Sequence, residues 1–324
     1  MIFIESINRI YSFFSIKVKL IFIISNIHYI IFIVNRHNSY SDKKDINVAL
    51  CTMGREENLY LNEFIGYYLK LGINHIFIYD DNEPDVEKII NIIDKKYLGN
   101  ITVYETKKLN IDKQADAFTQ CYKNNFKKFD WFLMLDMDEF LYIINDSLKG
   151  YLTQKSFNKC DFIKIHWVYP KNNDLVYYDS RPLFERFKPP YVKSKMIKSI
   201  IRGNITDLRY WVHSPYISPK RNITCNNLGN KIYYKEINFE FIRKINIKKA
   251  FIIHFEFKST EEFINKIKRG YSNWFGNEIE KFLIKKILFY LKINGVSTEK
   301  INFIEKELDL NLSKYLTSNF KIIK

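Results

Sequence analysis

The chain reads as an α/β protein built on a mainly parallel sheet with helices on both faces. Three observations predict it. Short apolar runs rich in Ile, Phe, Val and Tyr alternate with stretches of helical period between residues 46 and 140. The connections between those runs are long enough for the helical crossovers that parallel strands require. The 324 residues are 47% hydrophobic and 17% aromatic, so a layered core is available and disorder over most of the length is excluded.

Each element follows in order. INVALCTM, residues 46–53, is an apolar strand that runs into a polar loop, GREEN. LYLNEFIGYYLKLG places Leu61, Phe64, Ile65, Tyr68 and Leu69 on one helical face, and Gly72 is positioned to end that helix. HIFIYDD is a second strand closing on Asp80 and Asp81. PDVEKIINIIDKKY predicts a second helix with Pro84 near its start. ITVYET is a third strand, ADAFTQCYKNNF a third helix and WFLMLDMDEF, from Trp131, a fourth strand. After Gly150 the rhythm loosens. FIKIHWVYP reads as a strand, residues 176–235 as long loops with short strands, and AFIIHFEF as a late strand. Ser259 followed by Glu262 is a capping-box signature, and residues 277–324 read as two amphipathic helices. The expected organisation is an N-terminal segment over 1–45, one α/β domain over 46–275 and a helical extension over 276–324.

The N-terminal segment carries a 15-residue apolar run, Leu20 to Val34, preceded by Arg9, Lys17 and Lys19. It is short of the roughly 20 residues that span a bilayer, so two expectations stand: a single-pass anchor with its basic flank facing the cytoplasm, or an apolar element of a cytoplasmic protein. The net charge of +15 is densest toward the C-terminus and favours anionic partners, although in so lysine-rich a chain it is first a solvated surface. Cys51, Cys121, Cys160 and Cys225 form no Cys-x-x-Cys pair, and no disulfide framework is expected.

Ligands of open α/β sheets bind beyond the carboxyl ends of the strands. Three such ends are polar here: Arg55–Glu57, Asp80–Asp81 and Asp136–Asp138. The last is the most informative, because Asp136, Asp138 and Glu139 interrupt an apolar run, and buried uncompensated carboxylates are costly. A shared Mg²⁺ or Mn²⁺ resolves that cost. Such ions take oxygen ligands, commonly one or two carboxylates plus substrate phosphates.

These blocks resemble glycosyltransferase family 92. GREENLYLNEFIGYYLKLGINHIFIYDDNEPD is similar to the family's first strand–helix–strand unit. Gln114, then Cys121-Tyr122, then FDWFLMLDMDEFL resembles its Gln, Cys, Trp and Asp-x-Asp-Glu-Phe segment. RPLFERF, MIKSIIR and IIHFEFKSTEEFINKIKRG resemble later blocks, with Phe255 where the family has Tyr. The matches run in one order over about residues 46–270.

The resemblance implies a GT-A fold, a UDP-hexose donor (galactose above all), a glycan or other hydroxyl acceptor, Mn²⁺ or Mg²⁺ as cofactor, and inversion by a single in-line displacement. Asp136 and Asp138 would then hold the metal. His213 or His254 would complete it, the sequence choosing neither. Arg55, Glu57, Asp80, Gln114 and Lys198 would line the nucleotide-sugar pocket. Glu185 is the candidate base and Asp207 the alternative. Two rivals are a metal-dependent nucleotidyl- or phosphotransferase, which lacks its Gly-x-x-x-x-Gly-Lys loop here, and a basic nucleic-acid or membrane-surface binding protein. The aromatics sit in apolar runs rather than among basic residues, so nucleic acid is not an expected partner.

Overall fold

The computed structural model describes residues 45–106, 113–211, 213–216, 222–233, 241–270, 279–312 and 316. The apolar run at 20–34 lies outside them. Among the described residues no helix is long and apolar enough to cross a membrane.

The protein is an α/β fold around one curled, mixed sheet. Strands β1 (Val48–Gly54), β2 (His75–Asp80), β3 (Ile101–Glu105) and β4 (Trp131–Met134) are mutually parallel in the order β3-β2-β1-β4. Helices α1 (Leu61–Leu71), α2 (Ile89–Ile92) and α3 (Lys113–Asn125) lie between them in sequence. The rest departs from the parallel expectation. β7 (Val192–Arg202) runs antiparallel to both β4 and β6 (Phe162–Tyr169). β9 (Ala250–His254) is parallel to β6 and antiparallel to β5 (Glu139–Ile143), and β8 (Thr224–Asn226) pairs β6. Helices α4 (Leu148–Leu152) and α5 (Leu183–Arg186) are short, whereas α6 (Thr260–Lys268), α7 (Ile279–Asn294) and α8 (Thr298–Leu308) are longer.

The run expected as one strand, from Trp131 through the acids, is two. The full order is β3-β2-β1-β4-β7-β6-β9-β5, so three strands separate β4 from β5 in the sheet. Only Leu135–Asp138 separate them in the chain. Four strand spacings amount to about 19 Å, and five Cα steps reach about 17 Å at full extension. The sheet therefore curls, and the acidic turn bridges its mouth. Leu135 N–H donates to the Cys51 carbonyl of β1 at 3.2 Å, and the Asp138 carbonyl accepts from Phe255 N–H at 2.8 Å.

Three other expectations change. The helix expected from Pro84 shrinks to α2 and a 3₁₀ segment at Lys95–Asn100. The reason is local: the Asp80 carboxylate takes Ile89 N–H at 2.9 Å and the Asn82 amide donates to the Glu87 carbonyl at 2.8 Å, holding the segment as a loop. The stretch expected as loops holds the eleven-residue β7 at the sheet centre. All four cysteines pair, Cys51 with Cys121 and Cys160 with Cys225, at sequence separations of 70 and 65 that no spacing rule reveals.

Helices cover both faces. One core holds Leu61, Phe64, Ile65 and Tyr68 of α1 together with Ile287, Tyr290 and Leu291 of α7 and Ile304 of α8. The other packs Ala117, Phe118, Cys121 and Tyr122 of α3 against Ala49, Phe132 and Ile201. α6 opens on the expected capping box between Ser259 and Glu262.

Candidate active site

Sequence and curl together bring four elements to the acidic turn. Glu139 stands directly opposite His254 in the β5–β9 ladder. Tyr68 of α1 fixes that strand start, donating its hydroxyl to the Glu139 carbonyl at 2.7 Å and accepting Leu141 N–H at 2.9 Å. Gly54 ends β1 beneath the turn, where a Cβ would lie 2.5 Å from the Met137 sulfur. A side chain there would make the ends of Met137 and Ile89 shift, so glycine lets these two side chains pack directly over the end of β1.

The two aspartates have separate partners. Asp136 accepts from Lys198 Nζ of β7 at 2.9 Å and from the Gln114 amide at the start of α3. Its side chain keeps 26% of its exposure, while Lys198 is fully buried. Asp138 is buried; His254 Nε2 lies 3.3 Å from Oδ1, and Lys266 of α6 donates to Oδ2. Burial would raise the Asp138 carboxyl, but Lys266, His254 and Lys258 hold it well below the usual range. Glu139 is raised instead, by burial and by Asp136. It accepts Asp136 N–H at 3.1 Å, so it holds the turn's backbone, and its other oxygen is buried without a partner.

Beside Asp138 lies a second set of charges. Glu57 pairs with Lys258 and Arg269, each at 2.9 Å. Burial opposes its charge, yet Lys258 and Lys266 bring its carboxyl below the ordinary value. Glu57, Lys258, Lys266 and Arg269 line a pocket of about 190 Å³. Positions 262, 266 and 269 recur at helical spacing, which turns all three toward this pocket. Sequence reasoning gave Lys258, Lys266 and Arg269 no role, although that spacing was readable in EEFINKIKRG.

The remaining expected residues fall in different places. Arg55 pairs with Glu83 at 2.8 Å at the rim, and its carbonyl accepts from Arg269. Asp80 lines a separate pocket of about 180 Å³ with Asp81, Thr106 and Lys113; neither Asp136 nor Asp138 borders it. His213 packs its ring 5.1 Å from Trp167, which in turn lies 4.3 Å from His254. Burial and Lys198 push the His213 imidazole down to about 2, so it is neutral. Its backbone is seated by Ser199, and Lys164 below donates to Ser199 and Ser214, with burial pushing that amine down to about 7. Of the two histidines, His254 is the one against Asp138.

Neither proposed base lines the pocket of Glu57, Lys258, Lys266 and Arg269. Glu185 is exposed on α5, where its field acts on Glu63 and Arg181. Asp207 borders Tyr122 and Phe126 at the far end of α3. Tyr122 is eight residues from Gln114, about 12 Å along the helix. Among the described residues no three His, Cys, Asp or Glu side chains converge as a metal-ligand set. Asp136, Asp138, His213 and His254 are thus not gathered into one cage, because Lys198 and Lys266 take the carboxylate oxygens.

Chemically, the arrangement is a set of buried carboxylates and amines around an imidazole, at the carboxyl ends of parallel strands, where α/β sheets take their ligands. A family model, glycosyltransferase family 92, matches residues 44–287. A glycosyltransferase family 92 protein of Oryza sativa subsp. japonica is 30% identical over 122 residues, 36% of this chain and 20% of the relative. One of Ricinus communis is 23% identical over 240 residues, 73% of this chain and 39% of the relative. The chain thus spans two fifths or less of the length of these curated relatives. With the matched region running from the start of the sheet through α6 into α7, the chain belongs to glycosyltransferase family 92.

Proposed function

We propose that the protein transfers a hexose, galactose first among the candidates, from a UDP-sugar to an acceptor hydroxyl with inversion, on a GT-A form of the α/β fold and with Mn²⁺ or Mg²⁺. The observation that carries this reading is the juxtaposition of Asp138 and His254, one carboxylate oxygen and one imidazole nitrogen 3.3 Å apart at the sheet's mouth. That donor set suits a divalent ion that draws its other ligands from phosphate oxygens and water. It is too small for a closed protein cage, which fits a cation arriving with a nucleotide diphosphate. His254 Nδ1 is buried without a hydrogen-bond partner, so the ring's orientation is set by its packing on Trp167 and Tyr169.

When bound, the ion would supply positive charge for the departing diphosphate. As the bond to UDP breaks and the bond to the acceptor oxygen forms, the hydroxyl proton passes to a general base, Glu185 first and Asp207 as the alternative; other residues of the chain position the reactants. Asp138 and His254 would hold the ion, and Lys258, Lys266 and Arg269 would add positive charge beside it. Glu139, through Asp136 N–H, keeps the turn in register. Asp136 and Gln114 present polar groups toward the donor sugar, and Lys198 pairs with Asp136 at 2.9 Å. Burial of Asp138 excludes water and strengthens each of these interactions.

The test is a donor screen with Mn²⁺ that reads UDP release across UDP-hexoses and, in parallel, consumption of nucleoside triphosphates. A UDP-hexose is consumed, and Asp138→Asn is silent. Consumption of a triphosphate alone would return the phosphotransferase reading. Salt-sensitive binding to DNA or anionic vesicles that survives Asp138→Asn, with no UDP released, would favour the binding-protein reading.

A further inference from the structure

Helix α6 has two polar faces. Glu262, Lys266 and Arg269 look toward Glu57 and Asp138, as described. Glu261, Asn265 and Lys268, offset by one residue at the same helical spacing, look the other way, toward α8. Lys268 pairs with Glu307 of α8 at 2.6 Å, and Glu261 accepts Tyr178 N–H at 2.7 Å. Glu299, Asn302, Phe303 and Lys306 recur at i, i+3, i+4 and i+7 along the facing side of α8.

Two packed helices ordinarily meet through apolar side chains. Here the facing surfaces part to leave a groove of about 490 Å³, within the range of small-molecule sites. Its lining includes carboxylates and amides: Glu261, Asn265, Glu299, Asn302 and Glu307. Tyr177 stands at its edge, 59% exposed, with its ring held edge-on to Phe303 at 5.6 Å. Asn265 borders both this groove and the pocket of Lys258, Lys266 and Arg269, so the two spaces adjoin across a single turn of α6.

We infer that the α6–α8 groove is the acceptor subsite and that it takes a neutral sugar. This rests on the transferase reading above. Carboxylates and amides accept from sugar hydroxyls, and amides also donate to them. An aromatic face packs against the C–H face of a hexose ring. Three carboxylates and one lysine, Glu261, Glu299, Glu307 and Lys306, line the groove, a balance that repels phosphorylated or uronic-acid glycans.

The experiment is direct binding by the full chain, without donor or metal, followed by calorimetry or ligand-observed NMR. The neutral probes are lactose, cellotetraose and chitotetraose, and the anionic probe is tetragalacturonate. At least one neutral probe binds and tetragalacturonate does not. Tyr177→Ala and Asn302→Ala each weaken that binding tenfold or more with unchanged melting curves, and Glu299→Lys brings tetragalacturonate binding up. The inference is overturned if no neutral probe binds, if tetragalacturonate binds as well as they do, or if neither variant alters binding. Because binding is read apart from UDP release, a failure here leaves the donor screen standing, and a silent donor screen leaves this binding readable.

Discussion

Asp80 ends β2 and Asp138 lies in the turn just before β5; both are buried, yet the protein satisfies them in opposite ways. Asp80 is held by backbone: Asn82 N–H at 3.0 Å and Ile89 N–H at 2.9 Å. Asp138 is held by long side chains, Lys266 and His254, brought from α6 and β9. Backbone amides cannot leave without unmaking a loop. A lysine can swing aside for a cation or a phosphate. The first arrangement is architecture and the second is exchangeable, a contrast that supports the role proposed for Asp138 over one for Asp80.

The sharpest way to break this contrast is to exchange the two fates. Asp138→Asn should reduce UDP release on the order of 10³-fold, as expected for a lost ion ligand. An Asp80→Asn variant matching that loss, in the same steady-state assay, would erase the distinction.

Next in size is Lys266→Met, which leaves Asp138 buried with one fewer cation and should cost about 3 kcal/mol at pH 7 in urea denaturation. The sign of its pH dependence is definite. The folded Asp138 carboxyl lies below its ordinary value, so the pair's contribution is present above about pH 3.8 and is lost as pH falls through the folded value. Wild-type and Lys266→Met stabilities should therefore converge in acid. A constant gap down to pH 2 would detach Lys266 from Asp138.

Asp80→Ala should cost about 2 kcal/mol in the same measurement, because it strips two backbone N–H groups of their acceptor. The smallest effect sharpens the α6 side. Ser259→Ala removes one arm of the capping box and should cost about 1 kcal/mol, with a modest rise in donor KM as Lys266 loses its firm mounting. An unchanged melt would mean that α6 is held by packing alone.

How much was legible divides along the chain. From Val48 to Met134 each strand and helix recurs with its own period, so β1, α1, β2, β3 and α3 could be read from local pattern. Beyond Leu135 the acidic turn and β5 depend on partners more than a hundred residues away. The acidic turn looked like strand because its apolar residues, Leu135 and Met137, face the core on either side of Asp136. Nothing within WFLMLDMDEF shows that β9 and α6 will supply His254 and Lys266. The aspartates were readable because carboxylates inside an apolar run demand a cation. That lysines also answer the demand was not readable, in a chain where lysine is common everywhere. The pairing of Cys51 with Cys121 likewise needs the knowledge that α3 packs on β1.

The curl of the sheet has a consequence for how the molecule is made. Lys266 and Asp138 are 128 residues apart in sequence, and Glu139 reaches its ladder partner only when β9 arrives. During synthesis the acidic turn emerges long before any counter-charge exists for it, so an unfinished polypeptide carries a solvated, inert loop at that place. Competence is acquired in one late step of high contact order, when the closing edge docks. Onset of the proposed sugar transfer during refolding would thus time the completion of the whole architecture.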